Sequence, residues 1–215
     1  VDLVGRNICT IRFRNLATGE DLADEIPEVT WNLAWANDNR TLFYARQDPT
    51  TLRAHRVYRH VLGTDPATDV LVFDETDEEY DCFVWRGKSN RFLFVASQRT
   101  LTSEVRFLPA DEPGGEFRII EPRSPGHEYN VADFGDEFYI RTNLDAPNYR
   151  LMKTPIDRTA REHWVEVLAH RDDAMIEGID ILRDFLVLVE RRDGLMQIRI
   201  RPWSGEGEHY LDFGE

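Results

Sequence analysis

An all-β fold follows from three features of the 215-residue sequence. Short runs rich in β-branched and aromatic residues recur along it, and turn-forming clusters of Asn, Asp, Gly and Pro separate them. No amphipathic helical pattern is long enough to build an α/β sheet around. Residues 31–73 show the plan most plainly: the runs 32–36, 41–45, 57–62 and 69–73 are broken by Asn-Asp-Asn, Asp-Pro-Thr-Thr and Gly-Thr-Asp-Pro. They read as four antiparallel strands.

The elements follow in order. Residues 1–27 hold one strand, 10–16 (TIRFRNL), a turn at Ala17-Thr18-Gly19 and a weaker run at 20–26, which together look like the last two strands of a unit. After the unit at 31–73 comes a second with strands at 80–85, 92–97, 103–108 and 117–121. A third has strands at 128–134, 137–143, 149–153 and 164–170, and a fourth at 175–182, 184–191, 195–202 and 209–213. Thr41, Phe92, Phe138 and Phe185 occupy equivalent places in the second strands, at spacings of 51, 46 and 47 residues. A four-stranded module with a period in the high forties predicts a β-propeller, because each small twisted sheet must stack on its neighbours to bury its faces. A two-sheet sandwich is the competing architecture, and it would not require this repeated order. The expected division is a half blade at 1–27 and full blades at 28–75, 76–122, 123–170 and 171–215, about four and a half blades of a larger ring. One face of the last blade and the inner face of residues 10–26 are then expected to meet sequence outside this segment.

Composition narrows the function. Hydrophobic residues make up 41%, with five Trp, seven Tyr and twelve Phe, so a folded chain with an aromatic core is expected. Lys and Arg number 26 against 40 Asp and Glu, a formal charge of −14 that repels nucleic acid and anionic membranes. Such a surface attracts cationic ligands, although a merely solvated acidic surface is the favoured explanation. Cys9 and Cys82 fall on strands and form no disulfide framework, which fits a reducing, cytoplasmic setting. Neither a membrane-length apolar run nor a secretory leader is present, and the start at Val-Asp-Leu reads as a processed or truncated piece.

The residues of common chemistries are present but scattered. None of Ser89, Ser97, Ser103, Ser124 or Ser204 sits in Gly-x-Ser-x-Gly, and the six histidines show no metal-ligand spacing, so neither a metal nor a cofactor is expected. His60 and His209 read as strand histidines, and His170-Arg171-Asp172 as a loop between blades. Two loop classes stand out. One is 141–148 (RTNLDAPN), dense in groups that hydrogen-bond main chain. The other comprises connections between blades that end in Glu79-Tyr80, Glu128-Tyr129 and Ile176-Glu177, with Trp31 at the matching place. In a propeller both classes emerge on one face; the plainer alternative is that they only cap turns and begin strands.

Several runs resemble a known family: HVLGTDP (60–66) with Asp69-Val70-Leu71, Thr102-Ser103-Glu104, His127-Glu128-Tyr129, and Arg141-Thr142-Asn143 followed by APNYRL (146–151). Together they resemble the propeller of the prolyl oligopeptidase family. TIRFRNLATGE (10–20), NLAWANDN (32–39) and RVYRHVLGTD (56–65) are similar to its oligopeptidase B branch. The resemblance implies a seven-bladed propeller covering an α/β-hydrolase domain that carries a Ser-Asp-His triad and cuts short basic peptides after Lys or Arg. That domain is absent from these residues, so none of them is expected to be catalytic. What the resemblance carries over is gating: Arg6, Glu28, Trp31, Glu79, Tyr80, Glu128, Tyr129, Asn143 and Asn148 are candidates to face the hydrolase domain of the same parent chain or its substrate. The rival reading is a stand-alone propeller that binds a protein or peptide. A sugar-processing propeller would need clustered carboxylates in the channel.

Overall fold

A computed structural model describes every residue except Leu3, Val4, Arg6, Phe213 and Glu215. The described chain is built of strands with two short 3-10 turns. The first sheet comprises β1 (Cys9–Arg14), β2 (Asp21–Trp35), β3 (Thr41–Gln47), β4 (Ala54–Val61) and β5 (Val70–Asp74). The second comprises β6 (Asp81–Arg86), β7 (Phe92–Arg99), β8 (Thr102–Pro109) and β9 (Arg118–Glu121). The third holds β10 (Tyr129–Phe134), β11 (Glu137–Thr142), β12 (Arg150–Pro155) and β13 (Val165–Leu168). The fourth holds β14 (Met175–Ile181), β15 (Phe185–Arg192), β16 (Leu195–Pro202) and β17 (His209–Tyr210). Strands pair in sequence order within every sheet, so each is a meander.

Expected and observed strands differ most at the start. The runs 20–26 and 32–36, expected as separate strands, lie in the single fifteen-residue β2. Its first half pairs with β1 and its second with β3, and Val29 pairs on both sides. A register shift follows Val29, and Glu28 just before it adopts φ 59°. This irregularity lets one strand serve two hairpins with different registers.

By Cα proximity the chain forms two compact units, Val1–Thr100 with Glu104–Ile120, and Leu101–Ser103 with Glu121–Glu215. In the first, Ala34, Phe43, Val57, Cys82, Val84, Leu93, Val95 and Leu108 form one buried layer between the first and second sheets. In the second, Tyr139, Leu151, Ile176, Ile181, Leu186 and Leu188 do the same between the third and fourth. The strands β3, β7 and β11 are buried along nearly their whole length, as a strand packed on both faces must be. β15 alternates between buried and more accessible positions despite an equally apolar sequence.

The first unit also buries charge. His60 is fully inaccessible, with Nδ1 2.8 Å from Asp69 Oδ1 and Nε2 3.1 Å from Asp24 Oδ1. The Tyr44 hydroxyl donates to Asp69 at 2.9 Å, the Gly63 N–H donates to Asp24 at 2.6 Å, and Phe13 stacks on the imidazole. Burial and the Asp69 carboxylate both push the Tyr44 hydroxyl up, so it stays a donor. The cluster ties β2 to β4 and to the turn before β5. Replacing His60 with Ala leaves two buried carboxylates facing each other and should cost about 3–5 kcal/mol in urea unfolding. Breaking the exposed Arg12–Glu25 pair should cost less than about 1 kcal/mol.

Candidate functional site

The loop-bearing edge of the sheets is organised by contacts from the turn within one sheet to the connection that leads into the next. In the first sheet the β3–β4 turn is set by Asp48, whose Oδ1 accepts the N–H groups of Thr50 and Thr51 at 2.8 Å each. Those hydrogen bonds hold its carboxyl below the usual range. The turn delivers Arg53, which donates from Nε to the Tyr80 carbonyl at 2.7 Å and from Nη2 to the carbonyls of Glu75 (2.7 Å) and Asp77 (2.6 Å). One guanidinium thus fixes the entire β5–β6 connection. Within it, Glu75 is buried and accepts from the Ser97 hydroxyl and from the Asp77 N–H. Tyr80 is buried under the Arg99 guanidinium, 5.2 Å from the ring centre, while Glu79 points outward and pairs with the same Arg99.

The second unit repeats the device with other groups. Thr102 Oγ1 accepts the Gly126 N–H at 3.2 Å, the Ser103 N–H donates to the His127 carbonyl at 3.1 Å, and the Ser103 hydroxyl donates to the Tyr129 carbonyl at 2.9 Å. Tyr129 is 1% exposed, and its hydroxyl donates to the Glu121 carbonyl at 2.5 Å. Asn143 bonds the same connection, donating to the Gly126 carbonyl (2.9 Å) and accepting from the Glu128 N–H (2.9 Å). Asn148 reaches the next one, donating to the carbonyls of Arg171 (2.9 Å) and Asp172 (3.2 Å). Arg141 Nε donates to the Ile176 carbonyl at 2.5 Å, and its guanidinium carbon lies 3.5 Å from the centre of the Tyr149 ring. The Tyr149 hydroxyl donates to Glu128 at 2.9 Å. Burial lowers the Arg141 guanidinium from its ordinary value, and it remains a cation.

The structure therefore joins Glu128, Tyr129 and Asn143 through one connection, sets Asn148 on the next, and joins Glu79 to Tyr80 through Arg99. Glu28 and the 74%-exposed Trp31 lie on β2, apart from these contacts, and Arg6 lies outside the described residues. Because Tyr80 and Tyr129 are buried, they act by holding the connections that carry Glu79 and Glu128. Sequence reasoning missed Arg53, Arg99 and Tyr149. Their only signals are a position next to a turn for the arginines and, for Tyr149, a place directly after the loop at 141–148. Among the described residues no three His, Cys, Asp or Glu form a group fit for a metal ion.

His127 adds a titrating element. It is buried, stacks on Tyr129 and lies 2.9 Å from Thr142 Oγ1 through Nε2, with the Arg161 Nη2 3.4 Å from Nδ1. Arg161 can only donate, so Nδ1 accepts and Nε2 carries the proton. Burial, aided by Arg161, pushes the imidazole down to about 4.

Two outcomes follow. Arg53→Ala should cost about 3 kcal/mol and open residues 75–80 to limited proteolysis, whereas Thr50→Ala should leave cleavage unchanged. The neutral His127 binds its proton more weakly folded than unfolded, so its stabilisation is present above about pH 6.5 and lost progressively toward pH 4. It amounts to about 3 kcal/mol, and His127→Gln should flatten the urea-stability profile across that window.

Comparison with known proteins places this geometry. The family described as "Prolyl oligopeptidase, N-terminal beta-propeller domain" matches residues 1–213. Dipeptidyl aminopeptidase BI of Pseudoxanthomonas mexicana is 39% identical over 209 residues, 97% of this chain and 29% of that protein. Protease 2 of Moraxella lacunata is 30% identical over 90% of this chain and 28% of its own length. Oligopeptidase B from Leishmania major superposes with a TM-score of 0.90 at 27% identity, covering 100% of this chain and 31% of that one. The chain thus spans about three tenths of the length of the relatives it matches. The four antiparallel meanders are propeller blades, and the chain belongs to the prolyl oligopeptidase N-terminal β-propeller family.

Proposed function

We propose that this chain is the non-catalytic propeller of a serine oligopeptidase that cuts short peptides after Lys or Arg, acting as lid and size filter for an α/β-hydrolase domain of the same protein. The observation that carries this reading is the likeness to oligopeptidase B over the whole chain, together with the family match across residues 1–213. The free thiols of Cys9 and Cys82 accord with a reducing cytoplasmic location. A negatively charged domain raises the local concentration of cationic peptides. In this reading Glu28, Trp31, Glu79, Glu128, Asn143 and Asn148 face the hydrolase domain or the entering peptide; Arg6, a further candidate, lies outside the described residues. Tyr80 and Tyr129 position their neighbours.

The 39% identity to dipeptidyl aminopeptidase BI favours a second reading, release of dipeptides from a free amino terminus. One assay on the protein encoded by the complete reading frame separates the two. Amino-blocked reporter amides ending in Arg or Lys should be cleaved, neutral ones at least about 100-fold less well, and folded proteins spared. Cleavage confined to substrates with a free amino terminus establishes the second reading, and no peptide hydrolysis at all sinks both. Glu79→Gln and Glu128→Gln together should raise KM for cationic peptides severalfold with kcat unchanged, since they remove attraction outside the reacting centre.

A further inference from the structure

The first unit contains a cavity of about 260 Å3 beside the β3–β4 turn and the start of β6. Its wall is formed by Trp31 with neighbouring β2 residues, Gln47 at the end of β3, Leu52 and Ala54, and the start of β6 from Asp81 to Phe83, with Asn7 alongside. Trp31 is 74% exposed and has no ring or cation partner among the described residues, and Leu52 is also exposed. Cys82 is buried, and burial pushes its thiol up to about 12, so it lines the cavity as a neutral apolar group.

Several polar atoms of the wall are already engaged. Gln47 Nε2 donates to the Asn7 carbonyl at 2.9 Å, Thr30 Oγ1 accepts the Asn32 N–H at 3.0 Å, and Asn32 Oδ1 accepts the Val84 N–H. Asp81 is the one charged residue among the described lining residues, and its carboxylate makes no ion pair or side-chain hydrogen bond with the described residues. Through Leu52 and Asp81 the cavity continues into an open cleft of about 740 Å3 that contains Glu78, whose carboxylate is likewise unengaged among them. The cations of that cleft are committed: Arg53 to three main-chain carbonyls and Arg56 to Asp74 at 3.1 Å. The uncompensated charge where the two spaces meet is therefore negative.

An apolar wall, an open indole face and one unpaired carboxylate select a single positive charge on an aliphatic stem. Such a stem would pack on Leu52 and Phe83, with its cation toward Trp31 and Asp81. An anion would meet the carboxylate, and a neutral aliphatic group would desolvate it without compensation. We propose that this cavity is an accessory subsite for a lysine or arginine side chain of a bound peptide, on the propeller and distinct from any pocket for the residue before the cut. The peptide source of that side chain rests on the peptidase reading; the cation site does not.

The 215-residue chain is titrated with N-acetyl-Gly-Arg-Gly-amide and its lysine counterpart, followed by tryptophan fluorescence and calorimetry. Citrulline and norleucine peptides of the same length are the neutral controls. The expected result is saturable binding of the cationic peptides, weakened about tenfold or more by either control, by Asp81→Asn, by Trp31→Leu and by raised salt. Both positions are accessible, so the melting temperatures of the variants should match the parent's. Equal binding of citrulline, no binding of the basic peptides, or unchanged affinity in both variants overturns the site. Cation binding by this chain with no peptidase activity in the complete protein would keep the cavity and overturn its peptide source. Peptidase activity with unchanged KM for doubly basic peptides in Asp81→Asn would overturn the subsite and spare the peptidase reading.

Discussion

A propeller blade cannot hold itself in place; its position depends on how the main chain between blades is pinned. Here one kind of contact does this, in which a side chain from the turn within one sheet bonds the main chain of the connection to the next. Arg53 takes three carbonyls, Thr102 and Ser103 bond residues 126–129, and Asn148 takes two carbonyls. Each connection carries N–H and C=O groups that no strand satisfies, so leaving them unbonded would cost about 1–3 kcal/mol apiece. The chemistry of the clip varies because the requirement is only for a donor or acceptor in reach.

Apolar burial supplies the rest. Sheets meet through layers such as Phe43–Val84–Leu93–Val95, and the second strands of three sheets are buried on both faces. These layers are non-directional and set how closely sheets approach, whereas the clips and the His60 cluster are directional and set register. Glu79 and Glu128 stand on connections anchored by the buried rings of Tyr80 and Tyr129 and by hydrogen bonds to their main chain.

Much of this was legible in the residues. Alternating and continuous apolar runs marked nearly every strand, since pleated backbone repeats every two residues and Gly, Pro, Asn and Asp interrupt it. The loop at 141–148 was legible as a source of main-chain hydrogen bonds because Asn and Thr have short polar side chains. Arg53 and Arg99 were not, because an arginine that spans three carbonyls and one that is solvated look identical in a string. His60 read as a strand histidine; its two carboxylate partners lie 36 and 9 residues away and become neighbours only when β2, β4 and the turn before β5 pack.

The sequence by itself determined the all-β class, the repeated four-strand order and the absence of a local catalytic motif, all of which rest on short-range pattern. Tertiary structure decided what depends on distance. It fused two expected strands into β2, because Val29 can pair on both edges at once. It left β15 more accessible than β7 although FLVLV and FLFVA are equally apolar, because burial of a strand is fixed by what packs on its faces. It also left a space beside Trp31, where an indole from β2 meets a thiol from β6 and the Asp81 carboxylate, which has no ion pair among the described residues.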